Sequence, residues 1–79
     1  MILRLTYYVV LPFVEAPRGL LAEEAIEARG KDEAVRMGRR LAEMKAGVIV
    51  FSRSGDPDLG EYEDAKILAK FGQVPSIVE

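Results

Sequence analysis

At 79 residues the chain has room for one domain with a small core, and a hydrophobic fraction of 49% places it among folded globular sequences. A formal charge of −2, from 11 basic and 13 acidic side chains, lacks the overall basicity of a dedicated nucleic-acid binder. Cysteine and histidine are both absent, which removes disulfides, thiolate zinc sites and the commonest general base and metal ligand.

A chain this short, with no disulfide to staple it, is expected to bury further surface by self-association. The first segment, MILRLTYYVVLPFV, is too short to span a bilayer. Its β-branched and aromatic residues suit a strand better than the helical core of a signal peptide. The lack of cysteine fits a reducing compartment, so a cytoplasmic location is expected and no membrane association.

Residues 2–11 read as a strand apolar on both faces, with Tyr7, Val9 and Leu11 on one side and Tyr8 and Val10 on the other. Such a strand belongs in the middle of a sheet. Pro12 has no N–H to donate, so pairing is expected to stop there, with residues 15–19 as a loop. Residues 20–29, LLAEEAIEAR, suit a helix by composition and an edge strand by alternation; the strand is favoured.

Residues 31–46 form an amphipathic helix. Ala34, Val35, Met37, Gly38, Leu41, Ala42 and Met44 occupy one half of the helical wheel. Asp32 and Glu33 complement the positive end of the helix dipole, Gly30 serves as N-cap and Gly47 as terminator. Lys45 points into the apolar arc and is expected to snorkel out.

Residues 48–53 form the next strand, followed by Asp56-Pro57-Asp58-Leu59-Gly60, the chemistry of a short hairpin loop with glycine at the left-handed position. Pairing Asp56 with Glu61 sets Val48, Val50 and Ser52 against Ala69, Ile67 and Ala65. On the other side, Ile49, Phe51 and Arg53 then meet Leu68, Lys66 and Asp64. The expected architecture is α+β: a ββαββ chain making a four-stranded, mainly antiparallel sheet with one helix on one face. It forms a single domain over residues 1–79, with a loose tail from about residue 73. Strand order 2-1-3-4 makes such a sheet fully antiparallel.

The second half, AGVIVFSRSGDPDLGEYEDAKILAKFGQVP, resembles a group of short bacterial proteins, mainly alphaproteobacterial. They share an FSR-x-GDPD-x-G-acidic segment that ends in FG-x-VP. The resemblance covers roughly residues 30–75. It implies a free-standing small domain and carries over no catalytic residues.

One helix covers one face of a sheet. The other is expected to carry Tyr8, Val10, Ile49, Phe51 and Leu68, an apolar patch for a second copy or another protein. Arg36, Arg39 and Arg40 form a basic ridge on the helix, the alternative site for an anion or nucleic acid. Tyr7, Tyr8 and Phe51 are the aromatics that could stack bases, on a face lacking positive charge.

The acidic loop Asp56, Asp58, Glu61, Glu63 and Asp64 has turn spacing rather than calcium-loop spacing, so no metal is expected. Ser52-Arg53-Ser54-Gly55 lacks the helix start of a phosphate loop. No nucleophile–base pair can be assembled, so no catalytic residues and no cofactor are assigned. The expectation is a non-enzymatic interaction module, self-associating through the open sheet face.

Overall fold

The computed structural model describes residues 4–75. It is an α+β fold with one helix and a curled antiparallel sheet of six strands. In chain order these are β1 (Leu5–Ala16), β2 (Gly19–Ala22), β3 (Ile26–Ala28), α1 (Lys31–Leu41), β4 (Gly47–Asp56), β5 (Glu61–Tyr62) and β6 (Lys66–Gly72). Strands β1 and β4 pair antiparallel through the centre, from Leu5↔Gly55 to Phe13↔Gly47. Strands β2 and β3 both pair with β1, and β5 and β6 both pair with β4. The second and fourth strands expected from sequence are thus each divided in two.

The divisions have a physical cause. Between Phe13↔Ala22 and Val10↔Ile26, three steps along β1 are matched by four along its neighbour, which defines a bulge. Pro12 lies opposite it. Its carbonyl accepts from the Glu23 amide at 2.9 Å. In an extended residue N and O point the same way, so the ring nitrogen also faces the bulge. The missing donor therefore sits where the ladder already lacks a rung. This corrects the expectation that pairing stops at Pro12: β1 runs on to Ala16, and Pro17-Arg18 alone make the turn.

The second hairpin starts in the expected register, Asp56↔Glu61 and Gly55↔Tyr62. The Asp56 carboxylate accepts from the Asp58 amide at 2.9 Å, and Gly60 takes the left-handed conformation at φ 67°. The expected partners further down are then corrected by two slips of one residue. Gly55↔Tyr62 gives way to Ser52↔Lys66, and Phe51↔Ile67 to Val50↔Ala69. Val48 consequently meets Phe71, Ile49 meets Lys70 and Phe51 meets Ile67. Arg53 donates to the Glu63 carbonyl at 3.3 Å instead of facing Asp64. Each bulge adds bend and twist, so the sheet curls.

The helix starts where expected, after Gly30, but ends at Leu41 rather than Ala46. Beyond it the amides of Glu43 and Met44 bond three residues back, to Arg40 and Leu41, tightening the chain into turns. The Ala46 amide then reaches the Phe13 carbonyl at 3.0 Å, which ties the turn to β1. Met44, expected on the buried arc, is 73% exposed. Lys45 pairs with Glu23 at 2.7 Å.

The core lies between helix and sheet: Val10, Ala28, Ala34, Val48 and Val50, ringed by Tyr8, Met37, Leu41, Leu68 and Phe71 among others. Each buried valine is worth about 1.5–3 kcal/mol over its exposed state. Gly38 lets the helix come close, since a Cβ there would stand 2.5 Å from Val50 Cγ2. Residue 73, where the loose tail is expected to begin, is tied to the fold. The Gln73 amide donates to the Ala46 carbonyl at 2.9 Å and its side chain reaches Glu15 at 3.3 Å. Residues 76–79 of the expected tail lie outside the described residues.

Candidate interaction surface

The molecule measures 47 × 25 × 18 Å, and the shortest dimension accommodates one helix layer and one sheet layer. Side chains on the sheet face away from the helix follow from alternation along β1 and β4. Val10 and Val50 point at the helix and are Cα partners; Val9 and Phe51, the next pair, point away. Ile67 pairs with Phe51 on the far side. A row Val9–Phe51–Ile67 therefore crosses three strands, and all three residues are half-buried. Tyr7 and Leu11 extend it along β1, also half-buried. Phe13 and Ile49 on the same face are buried, at 4% and 0% exposure.

The expected patch is thus corrected in membership. Ile49 and Phe51 do point away from the helix, but Tyr8, Val10 and Leu68 pack on the helix side, with Val10 completely buried. Strand β1 is apolar on both sides, so its sequence alone does not say which side meets the helix. Pairing with β4 decides it, by aligning Val10 with Val50. Leu68 changes side because it is the extra residue in the bulge opposite Val50/Phe51. Tyr7, Val9, Leu11 and Ile67 are the members that the sequence reading missed. For the three on β1 the signal was the alternate set of that strand; Ile67 changed side with the register slip.

At one end of this face the Tyr7 and Tyr62 rings lie 6.3 Å apart at 49°, and the Arg53 guanidinium sits 5.6 Å from the Tyr62 ring centroid. Partial burial, with further contributions from Tyr62 and Glu27, pushes the Tyr7 phenol above its ordinary value. The rims differ in charge. Glu27, partner of Val9, stands on the β3 side, and Lys70, partner of Ile49, on the β6 side.

The other sequence candidates separate. Arg36, Arg39 and Arg40 are exposed on the outer helix, and the last two lie in its final turn, where the dipole favours cations. Asp56 is engaged in the turn and Glu63 pairs with Arg4. Among the described residues no three Asp or Glu side chains converge on a point that could hold a metal. Ser54 bonds Thr6 across the sheet at 2.8 Å, and Ser52 is buried. A cleft of about 630 Å³, unforeseen from sequence, lies at the β2–β3 bulge between Pro12, Ile26, Leu41 and Lys45. Among the described residues no helix is long and apolar enough to cross a membrane.

These features define a small two-layer α+β domain with one sheet face packed by a helix and an apolar row across the other. No protein-family model, curated protein or solved structure matches the chain. Its surfaces therefore carry the functional argument.

Proposed function

We propose that this protein is a non-enzymatic interaction module that self-associates through the sheet face turned away from the helix. The observation that carries this reading is the three-strand row Val9–Phe51–Ile67, flanked by Tyr7 and Leu11, with no second helix among the described residues to cover it. Packing two such faces removes apolar surface from water, the dominant favourable contribution to association.

The edges of the sheet are poorer docking sites. The β2–β3 edge has a bulge and carries Glu23, Glu24 and Glu27; the β6 edge has a bulge and carries Lys66 and Lys70. Bulges and charges are the devices that block edge-to-edge pairing. The face is left as the larger apolar opportunity.

Replacing Phe51 by Glu, or Val9 by Lys, places a charge in the middle of the row. Each variant is expected to sediment as a monomer while keeping the far-ultraviolet circular dichroism of the native chain. A native-like dimer from both variants contradicts the proposal. The exposed arginines of the helix support a second reading, an anion- or nucleic-acid-binding ridge. That reading predicts a salt-sensitive complex abolished by Arg39→Glu combined with Arg40→Glu; no complex at low salt excludes it.

A further inference from the structure

We infer that the cleft at the β2–β3 bulge is a docking site for a short basic segment of a partner protein. An apolar side chain of that segment enters the cleft, and a neighbouring lysine or arginine meets its glutamates. The site lies between the helix end and the sheet edge, away from the face proposed above for self-association, and does not depend on it.

The cleft follows from where two elements end. Helix α1 stops at Leu41, and the bond from the Ala46 amide to the Phe13 carbonyl draws the following turns towards β1. Opposite them, Glu23, Glu24 and Ala25 leave the ladder between β2 and β3. Helix end and sheet edge therefore part, leaving about 630 Å³ between them, within the size range of ligand-holding clefts. Residues 23–27 line it consecutively, a run of roughly 13 Å at strand spacing, which suits an extended segment. The bulge that blocks pairing with another strand thus opens room for side chains.

The lining selects the occupant. Pro12, Ile26 and Leu41 are apolar, and Ile26 is 36% exposed although its ladder partner Val10 is fully buried. Glu23, Glu24 and Glu27 line the cleft against a single lysine, so two carboxylates are left unbalanced. That lysine, Lys45, is already paired with Glu23 at 2.7 Å, and the pair ties the helix end to the sheet edge. Glu24 is exposed and has no cation partner among the described residues. Arg39 and Arg40 of the last helical turn do not line the cleft. An apolar lining with surplus negative charge favours a segment that is both apolar and basic, and repels an acidic one.

The probe is a short fluorescein-labelled peptide alternating leucine and lysine, titrated with the intact chain at low salt and read by fluorescence anisotropy. Saturable binding is expected, weakened roughly tenfold by Glu24→Lys. A peptide of the same charge with serine in place of leucine is expected to bind roughly tenfold more weakly. Asp64→Lys makes the same change of charge beside Glu63, whose amide bonds Ser54 towards the far end of β4, and is expected to leave binding unchanged. So is Phe51→Glu, on the sheet face turned away from the helix. Equal losses from Glu24→Lys and Asp64→Lys would mark unspecific charge attraction and overturn the inference. Equal affinity for the serine peptide, a loss of binding in Phe51→Glu, or no binding at low salt would each overturn it too. None of these results bears on the proposed dimer, which is read from the mass of the native chain.

Discussion

Single residues fix this fold at points where the backbone has little choice. Gly60 holds the left-handed position of the β4–β5 loop, so Gly60→Ala is expected to lower stability by about 1 kcal/mol, read as a lower denaturant midpoint at unchanged slope. Gly38 acts through space. An added methyl raises helix propensity by about 1 kcal/mol, but overpacking against Val50 costs about 1–3 kcal/mol, so Gly38→Ala is expected to destabilise on balance. Tyr7 gives a pH signature. Its phenol is raised in the folded state, so the fold binds that proton more tightly than the unfolded chain does. Stability is therefore retained below pH 10 and declines as pH rises through the raised value. Tyr7→Phe is expected to flatten that alkaline decline; a slope equal to the native one would show that the phenol is not responsible. The turn glycine was legible from Asp56, Pro57 and Gly60. The role of Gly38 was not, because the approach of Val50 is a tertiary fact.

Among the elements, those with a local signal match the sequence most closely. The start of α1 follows from Gly30, the acidic first turn and the 3.6-residue apolar period. Its early end does not, because the bond from the Ala46 amide to Phe13 is made by a distant strand. Bulges were invisible for a related reason. A single extra residue leaves composition and alternation intact over a few positions, yet it reverses which side every later residue faces. Leu68 was misplaced in this way. Pro12 shows the converse, a residue that seemed to forbid a strand and instead marks where its neighbour bulges. Pro12→Val would aim a new N–H at the bulge, where no ladder partner waits. The variant is expected to be less stable by about 1 kcal/mol in chemical denaturation, rather than more stable through a repaired rung.

For the whole molecule, a radius of gyration of 13.4 Å exceeds the roughly 11.6 Å expected of a compact chain of this length. An elongated two-layer domain exposes more surface for its core than a rounder one does. The α+β class and a sheet face turned away from the single helix were both readable from one helix among several strands. Which residues line that face was not, since β1 is apolar on both sides and only its register with β4 decides. The proposed dimer shares this face between two copies. Sedimentation equilibrium of the native chain over a range of concentrations tests it most directly. The expected result is a mass twice the 8.8 kDa of the single chain, lost on dilution. A mass of one chain at every concentration up to the solubility limit would contradict it.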